Sequence, residues 1–183
     1  MALTYSTMVP LGSPAIDFSL PGTDGNIYSL NSFKNKKVLV VIFMCNHCPY
    51  VKAVLQRLID LQQEFSGKDV QLIGINPNDP VRYPDDSMDN MKKIVAEKNI
   101  PFPYLCDERQ ETARAYGAVC TPDIYVYGEK QTLLYRGRID NNWEHPEKVT
   151  KRDLKEVIDH ILSGKEIPGE QIPSMGCSIK WKE

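Results

Sequence analysis

The strongest constraint on the fold is a run of six apolar residues, VLVVIF, at Val38–Phe43. The run does not alternate with polar residues, so it predicts a strand that is covered on both faces. Directly after it the apolar residues recur at steps of three and four, which predicts an amphipathic helix that begins at Pro49 and ends at Gly67. A buried strand that leads into a helix favours an α/β fold built on a partly parallel sheet.

The remaining pattern predicts a mixed central sheet with helices on both faces. Turn signals in the N-terminal stretch indicate a small β-hairpin, and two late strands around Gly128 are expected to be antiparallel. Further strands are predicted in VQLIGIN, FPYLCD, DIYVYG and TLLYRGRI, and further helices after Ser87, in ERQETARAYG, and from Thr150 to Gly164.

Composition limits the class of protein. A chain of 183 residues that is 42% hydrophobic suits one domain over residues 1–183, with a core of about residues 10–163 and an irregular C-terminal tail over 164–183. The net charge of −2 argues against a nucleic-acid partner. No apolar run approaches the roughly 20 residues that span a bilayer, and the N-terminus lacks the pattern of a signal peptide. We therefore expect a cytoplasmic protein with no membrane partner.

Two cysteines, Cys45 and Cys48, lie between the predicted strand and helix in the segment MCNHCPY. Three chemistries use this spacing: a metal site, a dithiol redox pair, and a peroxide-reducing thiolate. Lasting disulfides are uncommon in the cytoplasm, so a close cysteine pair there is more often catalytic or metal-binding.

A zinc site is the simplest structural alternative for the pair. Structural zinc takes four ligands, commonly from two close pairs, and the other cysteines, Cys106, Cys120 and Cys177, stand alone. We therefore predict no metal, and we expect Cys106 and Cys120 to fill the core.

A redox function follows from the position of the pair at a helix start. Unpaired N–H groups and the positive end of the helix dipole favour a thiolate there. We expect Cys45 to be the exposed, acidic nucleophile and Cys48 to resolve its mixed disulfides, so that the two form a reversible disulfide. Asn46 and His47, between them, are predicted to contact substrate, and His47 to stabilise the thiolate.

The order of strand, Cys-x-x-Cys helix start and a hairpin introduced by Thr121-Pro122 resembles the thioredoxin fold. The stretch GSPAIDFSLPGTDGNIYSLNSFKNKKVLVVIF is similar to the alkyl hydroperoxide reductase/peroxiredoxin branch of that superfamily. The resemblance covers about residues 10–163 and implies a thioredoxin-like fold with an N-terminal β-hairpin extension. It also implies that Thr121-Pro122 is a cis bond facing the cysteines, with the Thr121 backbone binding an extended substrate.

The same resemblance raises peroxidase activity as an alternative. Peroxiredoxins carry a Pro-x-x-x-Thr-x-x-Cys motif whose cysteine aligns with Cys48, but Val41 and Cys45 replace its proline and threonine. No arginine stands near Thr121 and Pro122, where the family's arginine is expected. The buried acid of thioredoxins is also replaced, by Leu39.

Two further features lie outside the pair. Cys177, in the polar tail, is predicted either to be an inert packed thiol or to be a resolving cysteine if the tail folds over the site. The loop NPNDPVRYPDDS is expected at the rim of the site, where Arg82 or Tyr83 can contact substrate.

The predicted function is thiol–disulfide exchange on protein or small-molecule disulfides, with an unidentified electron donor. No cofactor is expected other than the redox-active disulfide between Cys45 and Cys48. A thiol peroxidase with an antioxidant role that uses Cys48 is the second hypothesis. The third is a redox-inactive module that binds peptides beside Pro122.

Overall fold

The computed structural model describes residues 3–167 and 169–183, and a mixed sheet organises this part of the chain. The strands are β1 (Leu3–Tyr5), β2 (Ser19–Pro21), β3 (Ile27–Ser29), β4 (Val38–Phe43), β5 (Val70–Asn76), β6 (Tyr104–Cys106), β7 (Cys120–Thr121), β8 (Asp123–Gly128), β9 (Leu133–Arg136) and β10 (Met175–Ser178). The α-helices are α1 (Pro49–Glu64), α2 (Met88–Lys98), α3 (Glu111–Ala115) and α4 (Asp153–Ser163).

The central sheet has five strands in the order β6-β5-β4-β8-β9. β4, β5 and β6 run parallel to one another, whereas β8 is antiparallel to both β4 and β9. This confirms the predicted mixed sheet, and the strand order is that of the thioredoxin-like fold. The predicted N-terminal hairpin is the antiparallel pair of β2 and β3.

The apolar strand β4 lies at the centre of this sheet and is covered on both faces, as predicted. Its even-numbered residues, Val38, Val40 and Ile42, pack in one core together with α1, α2 and α4. Its odd-numbered residues face a second core, which contains the N-terminal hairpin and α3. Because successive strand side chains point to opposite faces, one fully apolar run supplies both cores.

Helix α1 begins where β4 leads into the cysteine segment. Cys48 is its N-cap, with extended backbone angles (φ −68°, ψ 123°), and Pro49 occupies the first helical position. Proline is well suited to that position, since the first N–H of a helix has no intrahelical acceptor. The helix start therefore falls at Cys48, three residues after Cys45.

Three predictions about elements were wrong, and the first is the end of α1, which lies at Glu64 rather than at Gly67. The tail is not irregular throughout, because Met175–Ser178 forms β10, which pairs with β1 on one side and β7 on the other. Helix α4 begins at Asp153 rather than after a Thr150 cap, since the Thr150 hydroxyl accepts a hydrogen bond from Asn141 (2.7 Å). Gly164 does end the helix, in a left-handed conformation (φ 66°).

In the part of the chain that the structure describes, no helix combines the length and the apolar character needed to cross a membrane.

Candidate active site

The two cysteines of the motif lie side by side at the carboxyl end of β4, and neither is accessible to solvent. Cys45 is 1% exposed and Cys48 is fully buried. Both are present as thiols, and the two side chains are hydrogen-bonded to each other. The prediction that Cys45 is exposed was wrong, because the residues around it enclose the helix start.

Thr121 contacts both thiols. Its hydroxyl lies 3.4 Å from Cys45 Sγ, and its carbonyl oxygen lies 3.1 Å from Cys48 Sγ, from which it accepts a hydrogen bond when Cys48 is protonated. The Thr121-Pro122 peptide bond is cis, as predicted. The structure thus places the predicted pair and the predicted cis-proline segment together.

The acidities of the two thiols are opposite to the prediction. The hydrogen bond from Cys45 lowers the pKa of Cys48 to about 4; burial opposes this shift, and the Val51 N–H in the first turn of α1 supports it. The same thiol–thiol hydrogen bond, together with burial and the charge of Asp86, raises the pKa of Cys45 well above its ordinary value. The hydrogen bond that Cys48 receives from Cys45 therefore favours the thiolate at Cys48 over the thiolate at Cys45.

Asp86 is a buried carboxylate that holds the cysteine segment in place. One oxygen accepts hydrogen bonds from the Asn46 N–H (2.7 Å) and from Asn76 (3.3 Å). The other accepts from His47 Nδ1 (2.6 Å) and Asn78 (2.8 Å). Burial opposes its ionisation, but these bonds prevail and lower the pKa of Asp86 below its ordinary value.

His47 is held on this carboxylate. The hydrogen bond to Asp86 raises the pKa of His47 despite partial burial, which favours an ion pair. Its ring stacks on that of Tyr83, with centroids 5.3 Å apart. The predicted roles of His47 in substrate contact and thiolate stabilisation remain predictions.

Asn46 is also held by the protein. Its side-chain nitrogen donates to the Asp85 carbonyl (2.7 Å), and its side-chain oxygen accepts from the Tyr104 hydroxyl (3.0 Å). The side-chain amide thus joins the cysteine segment to the rim loop and to β6. A substrate contact at Asn46 remains a prediction.

The sequence did not identify Asp86 as a site residue. The loop that carries it was expected only at the rim, with Arg82 or Tyr83 toward substrate. Tyr83 does lie against the site through His47, whereas Arg82 pairs with Glu183 near the C-terminus. Two adjacent aspartates before a helix give no signal that one is buried, because turns and helix starts commonly contain aspartate.

Three potential metal ligands lie close together at the cysteine segment. Ligand atoms of Cys45, His47 and Asp86 lie within 4.8 Å of one another. However, the four hydrogen bonds on Asp86 use the lone pairs that a carboxylate can offer. This arrangement is that of a hydrogen-bonded network rather than a ligand set.

A second buried carboxyl group lies one residue beyond the cis-proline. Asp123 is inaccessible to solvent and accepts a hydrogen bond from the Tyr125 hydroxyl (3.0 Å). Burial raises its pKa to about 7. Leu39 occupies the position at which thioredoxins bury an acid. Asp123 is a buried acid at another position, directly after the cis-proline.

An apolar cavity of about 190 Å³ lies beside the cis-proline. Its lining includes Pro122 and the rings of Tyr50 and Trp143, whose centroids are 4.3 Å apart. Arg138 and Asp140 also line it, which adds a few polar groups to an otherwise apolar wall. The cavity is thus lined by the cis-proline, whereas neither Cys45 nor Cys48 is among its lining residues.

The other three cysteines are buried, and one of them contacts the pair. Cys120 is inaccessible and Cys106 is 9% exposed, which agrees with core positions. Burial raises the pKa of Cys106 to about 11. Cys177 is 2% exposed on β10, where its side chain is hydrogen-bonded to Cys48, so three thiols meet at the helix start.

A dithiol at a helix start that faces a cis-proline on this fold defines a redox protein of the thioredoxin-like class. A family model matches residues 11–136, and the chain belongs to the AhpC/TSA family.

Three relatives illustrate this placement. A crystal structure of an uncharacterised conserved protein from Geobacillus kaustophilus is 43% identical with a TM-score of 0.94, and the match covers 100% of this chain and 97% of that one. Thiol-disulfide oxidoreductase ResA of Geobacillus thermodenitrificans is 23% identical over 86% of this chain and 82% of its own length. Chloroplastic peroxiredoxin Q of Populus jackii is 26% identical over 83% of this chain and 70% of its own length.

Proposed function

We propose that the protein is a thiol–disulfide oxidoreductase that exchanges electrons with substrate disulfides through Cys45 and Cys48. The observation that carries the proposal is the contact of two thiols with each other and with Thr121, directly before a cis-proline. Two neighbouring thiols at one helix start can close a disulfide with little backbone movement.

The acidity of the pair assigns the roles. Cys48 is the nucleophile, since the thiolate rather than the thiol attacks a disulfide. Its attack breaks the substrate S–S bond, forms a mixed disulfide and releases one substrate thiolate, which takes up a proton. Cys45 then loses its proton, attacks Cys48 Sγ and releases the second substrate thiol, which leaves a Cys45–Cys48 disulfide. Two electrons have passed to the substrate, and a donor dithiol returns them.

The same site supports thiol peroxidase activity as a second candidate. An acidic Cys48 at the position of the family's peroxide-attacking cysteine favours it, as does membership of the AhpC/TSA family. Against it, no arginine in the described part of the chain hydrogen-bonds to either thiol, so a group expected to steady the peroxide is missing. We therefore place disulfide exchange first.

The substrates proposed are protein or small-molecule disulfides and thiols. The apolar cavity beside Pro122 is suited to the non-polar part of such a molecule, because its wall contains two aromatic rings. The redox-inactive peptide-binding hypothesis requires the thiols to be inert, and the low pKa of Cys48 argues against that.

The test compares two assays on the same reduced proteins. Insulin-type disulfide reduction and peroxide consumption are measured for the wild type, Cys45→Ser and Cys48→Ser, with Cys106→Ser as a matched control on β6. We expect disulfide reduction by the wild type and by Cys106→Ser, its loss in Cys48→Ser, and slower reduction in Cys45→Ser, which lacks the adjacent resolving thiol. Rapid peroxide consumption that needs Cys48 while insulin remains oxidised would make the peroxidase the function. Inactivity of the wild type in both assays would leave the binding module.

A further inference from the structure

The C-terminal strand β10 occupies the backbone edge beside the active-site thiols. It pairs antiparallel with β7, and the register places Cys177 opposite Thr121 and Ser178 opposite Cys120. On its other edge β10 pairs with β1, so the tail is the middle strand of a three-stranded sheet. Thr121 is the residue whose backbone was expected to bind an extended substrate, and the protein's own tail fills that place.

The fit of β10 on this edge is close. A β-carbon at Gly176 would overlap the carbonyl oxygen of Thr121, so the strand approaches the cis-proline bend through a residue that lacks a side chain. Glycine at position 176 therefore allows β10 to lie this close to the cis-proline bend.

The register directs Cys177 toward the thiol pair. Residues directly opposite each other in an antiparallel pair have side chains on the same face of the sheet. The Thr121 side chain faces Cys45, with its hydroxyl 3.4 Å from the sulfur. Cys177 therefore faces the same side, and its thiol is hydrogen-bonded to Cys48.

We propose that Cys177 is a second resolving thiol for Cys48, so that Cys48 can close a disulfide with either Cys45 or Cys177. This inference rests on the proposed function, because it assumes that Cys48 forms mixed disulfides. In this arrangement β10 presents a cysteine to Cys48 from the strand position that an extended substrate was predicted to take, and Cys48 is the shared member of two mutually exclusive disulfides.

A small disulfide can act as the oxidant that converts the Cys48 and Cys177 thiols into a disulfide. With glutathione disulfide, the Cys48 thiolate attacks one sulfur, forms a Cys48–glutathione bond and releases one glutathione thiolate. The Cys177 thiol loses its proton to solvent, and its sulfur attacks Cys48 Sγ. A Cys48–Cys177 bond forms, the bond to glutathione breaks, and the departing second glutathione thiolate takes up a proton. Two protein thiols are oxidised and one glutathione disulfide is reduced to two glutathione molecules.

The charge of Cys48 controls when Cys177 can ionise and attack. Burial raises the pKa of Cys177, and the hydrogen bond with the Cys48 thiolate and its charge raise it further, to about 12. Conversion of Cys48 into a mixed disulfide removes its charge, so Cys177 then ionises more readily. The attack by Cys177 is thereby favoured after Cys48 has reacted.

The test uses peptide mapping of the full chain after reaction with glutathione disulfide. The proteins are the wild type, Cys45→Ser, Cys177→Ser and the double variant, with Cys106→Ser as control, and unfolding midpoints establish that each is folded. In Cys45→Ser we expect an intramolecular Cys48–Cys177 disulfide with two glutathiones released per chain. In Cys177→Ser we expect Cys45–Cys48, and in the double variant we expect glutathione retained on Cys48.

The outcomes separate this inference from the proposed function. Retention of glutathione on Cys48 in Cys45→Ser, at the level seen in the double variant, would overturn the role of Cys177 and leave the Cys45–Cys48 mechanism intact. If the wild type forms no bond at Cys48, the proposed function itself fails. A second readout is the release of the second glutathione, which should be at least tenfold faster in Cys45→Ser than in the double variant.

Discussion

At the residue scale, the site depends on how one helix start distributes charge over two sulfur atoms. Cys48 is the N-cap of α1 and receives hydrogen bonds from thiols and from a backbone N–H, whereas Cys45 lies near the carboxylate of Asp86. Donors stabilise a thiolate and a nearby negative charge disfavours it, so the two environments separate the acidities. The chemistry then follows from which sulfur carries the charge.

The first prediction concerns that charge. In the reduced wild type, ultraviolet absorbance of thiolate should titrate with a midpoint near pH 4, where the pKa of Cys48 lies. Cys48→Ser should lose this transition, and Cys45→Ala should move it upward because a hydrogen bond to the thiolate is lost. Cys106→Ser should leave it unchanged, and an acid transition that persists in Cys48→Ser would assign the thiolate to another cysteine.

The second prediction concerns Asp86. Asp86→Asn removes the charge that raises the pKa of His47 and of Cys45, so both pKa values should fall. The variant should also lose about 1–3 kcal/mol of stability, since buried donors lose their acceptor. Titration of the His47 ring by NMR, with Asp85→Asn as the neighbouring control, measures the effect. A ring pKa that is equal in the two variants would show that Asp86 does not set it.

At the element scale, β10 is the feature that most changes access to the site. It packs beside the cis-proline bend, its Cys177 touches Cys48, and Cys48 has no solvent-accessible surface. A substrate therefore reaches Cys48 after β10 or a neighbouring loop has moved. Short strands held by few backbone pairs open more easily than the strands of the central sheet.

The third prediction tests this role of β10. Gly176→Ala should loosen the strand, because its β-carbon would overlap Thr121, at a cost of about 1–3 kcal/mol. Alkylation of Cys48 in the reduced protein should become at least threefold faster. Gly169→Ala is the control, since a β-carbon there meets nothing within 4 Å. Equal alkylation rates in the two variants would mean that β10 does not limit access.

Element prediction succeeded where local pattern decides and failed where distant pairing does. The unbroken apolar run of β4 and the stepped apolar residues of α1 predicted both elements, and the Thr-Pro motif predicted the cis bond through its resemblance to thioredoxins. The strand at Met175–Ser178 was missed, because it is short and its partners β1 and β7 are far away in sequence. The burial of the cysteines and their relative acidity depend on that strand, on Asp86 and on where α1 begins. The motif alone therefore predicted the other cysteine as the more acidic one.

At the scale of the whole molecule, two apolar cores on either side of one sheet bury several titratable groups with the site. Asp123 lies in this interior, one residue from Pro122, and its pKa is raised to about 7 by burial. The unfolded chain ionises this carboxyl near pH 3.8, whereas the folded chain keeps it protonated to about pH 7. Its contribution to folding stability therefore falls as the pH rises through that window and is constant above it.

The fourth prediction follows from this linkage. The free energy of unfolding of the wild type, relative to that of Asp123→Asn, should fall by about 4 kcal/mol as the pH rises from about 4 to about 7. Urea unfolding across this range measures the difference. Asp89→Asn, at an exposed carboxyl, should show no comparable trend, and parallel curves for wild type and Asp123→Asn would contradict the raised pKa.

The central claim, that Cys48 attacks and Cys45 resolves, is tested most directly by the reaction of a chromogenic aromatic disulfide with two double variants, Cys45→Ser/Cys177→Ser and Cys48→Ser/Cys177→Ser. Each retains one thiol of the motif, so the first reaction is isolated from resolution. We expect the variant that keeps Cys48 to release chromophore at least tenfold faster at neutral pH and to hold the mixed disulfide on Cys48 by mass spectrometry. Faster release by the variant that keeps Cys45, with the adduct on Cys45, would reverse the assignment.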